Sequence, residues 1–182
     1  QTTPIQLCLM TAQIANGGYK IKPKILTDDN QLTSEQVKKA MQESNGIASY
    51  TPLFDDQNNI KIIQEAMFSS TNEIMGTSFK SRIDDPKYQF AGKTGTAQVK
   101  RISKRERELD LKTSQIPYEE RDHALYVAFG PYKNPRYSLS IIVEHGGSGS
   151  VAAAPMATKL FKLIIDRHQY RKQLSYHKEI NI

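Results

Sequence analysis

Phe90-Ala91-Gly92-Lys93-Thr94-Gly95-Thr96-Ala97-Gln98-Val99 is the stretch from which the rest of the chain is read. It predicts a strand whose centre carries a lysine, two threonine hydroxyls and a glycine between small or apolar flanks. A glycine inside a strand weakens it, and marks a bulge or a place where a ligand or another backbone comes close. A lysine beside hydroxyls supplies a positive charge and neutral donors, a set suited to a carboxylate or a phosphate. The plainer reading is a half-exposed edge strand on which Lys93 discourages edge-to-edge pairing.

Downstream of this strand lies the most charged part of the chain, residues 100–121, with a local balance of +2. The mixture of signs predicts a solvated, partly helical excursion. Ala124 to Phe129 and Tyr137 to Val143 are apolar runs separated by Gly130-Pro131-Tyr132-Lys133-Asn134-Pro135, which predicts an antiparallel hairpin. Gly146 to Ser150 breaks the chain. A last helix runs from Val151 to about Tyr170, with Pro155 in its first turn and Met156, Leu160, Leu163 and Ile164 as the apolar face. The tail from Arg171 to Ile182 is polar and expected to fray.

Upstream, Thr3-Pro4-Ile5-Gln6 is a capping box with proline at the first helical position. Leu7, Met10, Ile14 and Ala15 follow at helical spacing, and Gly17 or Gly18 ends the helix. Tyr19 to Leu26 reads as extended, with Pro23 against a central strand. A short helix is expected from Thr33 to about Met41, a loop over residues 44–58, and a further helix from about Asn59 carrying Ile60, Ile63 and Met67 on one face. Helices and strands in separate runs indicate an α+β domain with a three-stranded antiparallel sheet.

Composition narrows the function. At 182 residues the chain suits one domain with a core. It has no apolar run of membrane-spanning length and opens on no signal peptide, so any anchor is expected outside it. The net charge of +6 is spread out rather than clustered with aromatics, which argues against a nucleic-acid partner. Cys8 is the single cysteine, read as a small buried hydrophobe, and no metal-ligand spacing occurs, so no metal and no cofactor are expected.

Ala91-Gly92-Lys93-Thr94-Gly95-Thr96-Ala97-Gln98 closely resembles the third active-site motif of the penicillin-binding proteins and serine β-lactamases. The flanking strings resemble one branch of that family, the elongation-type peptidoglycan D,D-transpeptidases. They are Thr3-Pro4-Ile5-Gln6-Leu7 with Asn16-Gly17-Gly18 before it, and Arg121-Asp122-His123, Ala128-Phe129-Gly130-Pro131-Tyr132, Asn134-Pro135 and Glu144-His145-Gly146-Gly147-Ser148-Gly149 after it. The resemblance covers roughly residues 1–170. It implies the C-terminal part of a transpeptidase fold, with the N-terminal part of the domain and two of its strands outside this chain. The edge of Tyr137–Val143 would then be exposed, inviting dimerisation.

The resemblance also implies roles. Lys93 and Thr96 would be catalytic, and Thr94, Gly95 and Thr96 would bind substrate, the Thr96 amide giving half of an oxyanion hole. The substrate would be the D-Ala-D-Ala end of a stem peptide, and β-lactams would trap the same serine. The parent would sit at the periplasmic face of the inner membrane, beside a membrane glycosyltransferase and other elongation-complex proteins. Ser70-Thr71-Asn72 fits the family's middle Ser-x-Asn motif locally but lies too near Lys93, and Ser175-Tyr176-His177-Lys178 fits its Ser-x-x-Lys motif but follows the strand it should precede. Both are refused, as is Gly146–Ser150 as a nucleophile elbow, which leaves the nucleophile expected elsewhere in the parent. The alternative is a non-catalytic cell-wall peptide-binding module of the same ancestry.

Overall fold

The computed structural model describes residues 2–21, 23, 52–101 and 111–180, the stretch 168–180 as backbone only. The helix expected over 33–41 and the loop over 44–51 lie outside these residues. So do Lys22 and residues 24–26 of the extended segment, and residues 102–110 of the charged excursion.

Three strands form one antiparallel sheet in the order β1 (Ala91–Ala97), β2 (His123–Gly130), β3 (Tyr137–Val143). Ala91 pairs with Phe129 and Ala97 with His123, and across the second ladder Gly130 pairs with Tyr137 and Ala124 with Val143. The sheet and hairpin stand as the sequence predicts. Helix α1 (Pro4–Ala15) and helix α2 (Gln57–Asn72) pack on one side, and helix α3 (Ala154–Ile180) on the other. Among the described residues β1 and β3 are the edges of the sheet.

The capping box of α1 is present: the Gln6 amide N–H donates to Thr3 Oγ1, and the Thr3 N–H donates to Gln6 Oε1 at 2.8 Å. Gly17 and Gly18 end it at φ 92° and 85°, and a Cβ on Gly18 would lie 2.8 Å from Ile60 Cγ1. Glycine is therefore required there by both backbone and packing. Asp56, not a residue near Asn59, opens α2, its carboxylate accepting from the Asn58 N–H at 2.8 Å.

Each helix buries a different stripe from the one its large apolar residues suggest. On α2, Ile60 and Met67 are buried, but Ile63 is 38% exposed. The stripe runs 60, 64, 67, 71 and includes two polar residues: the Gln64 side-chain amide donates to the Ile14 carbonyl at 2.6 Å, and Thr71 is fully buried. On α1 the fully buried residue is Thr11, its hydroxyl donating to the Leu7 carbonyl, while Met10 is exposed and Leu7 and Ile14 are half-buried. Cys8 is half-buried rather than buried, its sulfur 3.3 Å from Ser138 Oγ on β3.

The largest departure is on α3. Met156, Leu160 and Leu163 are exposed, and Ala154, Ala157, Phe161 and Ile165, with Ala153 just ahead of the helix, face the sheet instead. The alanines let the helix approach Ala124 and Ala128 of β2, and Phe161 fills the remaining depth by stacking on Phe90 with centroids 4.8 Å apart. Gly149–Ala153 forms a π-helical turn ahead of α3. Pro155 follows in the first α turn, where its missing N–H leaves no α-type donor for the Val151 carbonyl, so a wider turn costs little there. α3 continues past Tyr170 to Ile180. The helix is longer than the sequence suggests, and Arg171–Ile180 contains no glycine or proline and is rich in helix formers.

Candidate functional site

β1 is an edge strand with one long side unpaired by any described strand. Its polarity can be read from its neighbours. The Phe90 carbonyl accepts from Asn72 Nδ2 at 3.0 Å, and the Gly92 carbonyl lies 3.5 Å from Thr71 Oγ1. Both donors belong to α2, outside the sheet, so even-numbered residues of this strand turn their backbone groups away from β2. By the two-residue period, the N–H and C=O of Thr94 and Thr96 point to the same free side, roughly 6.8 Å apart along the strand.

The side chains alternate across the strand. Lys93 is exposed and bends along the edge, its ammonium donating to the Thr94 carbonyl at 3.0 Å and to Thr94 Oγ1 at 3.4 Å. Thr94 is half-buried and Thr96 exposed, both on the face that α3 covers further down the sheet. Gly95 stands over Leu125, whose Cβ would be 3.3 Å from a Gly95 Cβ. The structure therefore brings Lys93 and Thr94 into contact and aligns Thr96 on the same free edge.

Two supports hold this edge. Below Gly92 lies Tyr126, fully buried, its hydroxyl 3.0 Å from both Thr71 Oγ1 and Ser78 Oγ. A Cβ at position 92 would sit 2.3 Å from that hydroxyl, which is why the residue before the lysine is glycine. Burial pushes the Tyr126 phenol above its ordinary pKa, the bonds with Ser78 and Thr71 working the other way, so it stays a neutral donor. Below Thr94 and Gly95 lies Gly149 of the π turn. A Cβ on Gly149 would meet the carbonyl oxygens of Leu125 at 2.5 Å and Gly95 at 2.9 Å.

The end of the strand is tied as well. The Asp122 carboxylate accepts from the Val99 N–H at 3.2 Å, and the Asp122 carbonyl from the Gly147 N–H at 2.8 Å. His145, with φ 55°, donates its backbone N–H to His123 Nδ1 at 3.0 Å. His145 lies two residues past the end of β3, its ring Nδ1 3.1 Å from the Arg121 carbonyl.

Ser70-Thr71-Asn72, refused as a motif on its spacing, carries structural side chains. Ser70 Oγ lies 3.1 Å from Thr77 Oγ1, Thr71 joins the Tyr126 network, and Asn72 binds the Phe68 and Phe90 carbonyls. Sequence reading missed Thr77, whose hydroxyl is 3.5 Å from Thr94 Oγ1. It also missed Tyr126, Ser78 and Gly149. Only the Gly-Thr pair 76–77 leading towards the strand gave a local sign, and it is too common to stand out. For Ser175 and Lys178 only the helical backbone is described. No group of three or more His, Cys, Asp or Glu is placed to hold a metal ion among the described residues, and no helix among them is long and apolar enough to cross a membrane.

Comparison with known proteins bears on the whole layout. The family model for the penicillin binding protein transpeptidase domain matches residues 1–162. The peptidoglycan D,D-transpeptidase MrdA of Salmonella typhimurium is 30% identical over 165 residues, covering 90% of this chain and 25% of the relative. MrdA of Acinetobacter baumannii is 34% identical over 159 residues, 85% of this chain and 21% of the relative. Among solved structures, penicillin-binding protein 2 of Helicobacter pylori, in complex with MreC, is similar at TM-score 0.63 and 26% identity, with 91% of this chain and 25% of that one covered. The chain thus spans about a quarter of the length of the relatives it matches.

Proposed function

The chain belongs to the penicillin-binding protein transpeptidase family, and on that premise we propose that it is the C-terminal part of the D,D-transpeptidase domain of a penicillin-binding protein 2. The parent would cross-link peptidoglycan stem peptides during cell elongation. The observation that carries this reading is the edge of β1 that no described strand pairs, where the backbone groups of Thr94 and Thr96 turn outward and the Lys93 ammonium reaches Thr94 Oγ1.

A stem peptide ending in D-Ala-D-Ala would lie along that edge, Gly95 leaving room for its backbone. Lys93 draws in the terminal carboxylate, and the Thr94 and Thr96 hydroxyls donate to it. The Thr96 amide, facing out, supplies one oxyanion donor; removing such a donor costs about 3 to 4 kcal/mol. A serine elsewhere in the parent attacks the carbonyl of the penultimate D-alanine, and terminal D-alanine leaves with the proton. The amine of a neighbouring stem peptide then attacks the acyl-serine, forming the cross-link and returning the proton to serine. β-Lactams would acylate the same serine by ring opening. This chain alone would carry one wall of the site and be inactive. The parent would be anchored at the periplasmic face of the inner membrane, and the Helicobacter pylori relative's complex with MreC suggests a similar elongation partner.

Labelling with a fluorescent penicillin tests the reading. The parent should label, with unlabelled penicillin competing, and this chain alone should not. Covalent labelling of this chain would mean that a serine within it is the nucleophile. Labelling of neither would favour a peptide-binding module without catalysis.

A further inference from the structure

Thr94 can donate only one proton, and if that proton goes to a substrate carboxylate its lone pairs must be met by other donors. Lys93 Nζ lies 3.4 Å away on one side. On the other, Thr77 Oγ1 lies 3.5 Å from Thr94 Oγ1, and Ser70 Oγ lies 3.1 Å behind Thr77. We infer that Thr77 is a positioning residue for anion binding, heading a row of hydroxyls in which Ser70 donates to Thr77, Thr77 to Thr94, and Thr94 to the carboxylate.

The placement of Thr77 is built rather than incidental. Gly76 packs so closely on the end of α2 that a Cβ would lie 2.4 Å from the Ser70 carbonyl oxygen and 2.6 Å from that of Ser69. The Gly76 N–H donates to the Glu73 carbonyl at 2.8 Å. Ser78 then donates both its N–H and its hydroxyl to the Ser70 carbonyl, each at 3.0 Å. Residues on both sides of Thr77 are therefore pinned to one helix end, and the threonine between them is exposed with its hydroxyl towards β1. Hydrogen bonds in such a row polarise one another in one direction. An unaided Thr94 hydroxyl would instead be free to turn towards its own backbone.

The role depends on β1 being the carboxylate-binding strand proposed above. The test measures second-order acylation of the full-length parent by benzylpenicillin and by its methyl ester, which lacks the charge. Thr77→Val should slow acylation by the acid roughly three- to tenfold, the worth of one hydrogen bond, and leave the ester within about twofold of wild type. Thr77→Ser, which keeps the hydroxyl, should restore the acid rate. Equal slowing with acid and ester would reduce Thr77 to a structural part and overturn the proposal, as would an unchanged acid rate in Thr77→Val. If the wild-type parent reacts with neither compound, the transpeptidase reading itself fails and takes this role with it.

Discussion

Replacing Gly149 with alanine sets two effects of opposite sign against each other. The residue opens the π turn ahead of α3 with no left-handed backbone requirement, so helix propensity alone favours alanine by about 0.5 to 1 kcal/mol. Packing opposes it. The new methyl would sit 2.5 Å from the Leu125 carbonyl and 2.9 Å from that of Gly95, where ordinary contact begins at 3.4 Å. Relief needs a shift of about 0.9 Å between the turn and the sheet, and the obstacles are backbone oxygens of paired strands, which cannot swing away as a side chain does. Overpacking of this kind costs about 1 to 3 kcal/mol, and an oxygen contact that cannot relax falls in the upper half of that range. The net expectation is a loss of about 1 to 2 kcal/mol, read as a fall of roughly 2 to 8 °C in thermal midpoint. Because the strained contact lies beneath Thr94 and Gly95, penicillin acylation by the parent should fall further than stability does, displacements near 1 Å costing up to about a hundredfold. A variant that melts at or above the wild-type temperature would show that the turn yields freely, and would refute the claim that Gly149 fixes the edge of β1.

Thr71→Val keeps shape but strips the hydroxyl that meets Tyr126, Ser78 and the Met67 carbonyl, so urea unfolding should show a loss of about 1 to 3 kcal/mol; a loss below about 0.5 kcal/mol would mean that Ser78 satisfies Tyr126 unaided. Ser140→Ala should be neutral or stabilising, since its buried hydroxyl has no partner among the described residues, and a clear loss in the same assay would contradict that. Asp166 accepts from Lys87 and Tyr88, and the Lys87 bond first, then the Tyr88 bond, hold its carboxyl below the usual range, while the same Asp166 bond raises Lys87. A lowered acid contributes above its unfolded pKa and loses that contribution as pH falls through the folded value. A raised lysine contributes below its unfolded pKa and loses it as pH rises through the folded one. The stability difference between wild type and Asp166→Asn should therefore be flat across neutral pH and shrink at both extremes, and a difference unchanged at low pH would remove the pairing. Thr96→Ala keeps the backbone amide and should mainly weaken acylation by carboxylate-bearing penicillins, by about tenfold; equal weakening towards their esters would place the hydroxyl elsewhere.

The sheet was legible because its strands are short apolar runs bounded by turn residues, and β3 falls at the residues its pattern marks. The helix faces were not. Hydrophobicity singles out Leu163 and Met156, yet close approach to Ala124 and Ala128 selects the helix face with the smallest side chains, and Ala154 and Ala157 are too ordinary to signal it. Thr11 and Thr71 are buried and Gln64 half-buried because each has a nearby acceptor, and partners supplied by tertiary contact leave no trace in a local pattern. Lys93, Thr94, Gly95 and Thr96 stand out in the sequence because their types are unusual for a strand and because the string around them resembles a family motif. Their supports, Tyr126, Gly149 and Thr77, lie far off in sequence or are common residues in common company. The candidate edge is marked in the sequence, and the scaffold beneath it is not.

The clasp between α1 and β3 has a consequence for how the chain comes to be folded. Cys8 and Ser138 exchange contacts through sulfur, hydroxyl and carbonyl across a separation of 130 residues. Such distant closures are slow to form, since the loop entropy is lost before any contact rewards it. At a ribosomal pace of about 5 to 20 residues per second, α1 leaves the exit tunnel on the order of 10 s before the strand it rests against. Throughout that interval Ile14 and Ala15 have no sheet to cover. Of the described helices, the first to be synthesised must wait longest for its seat.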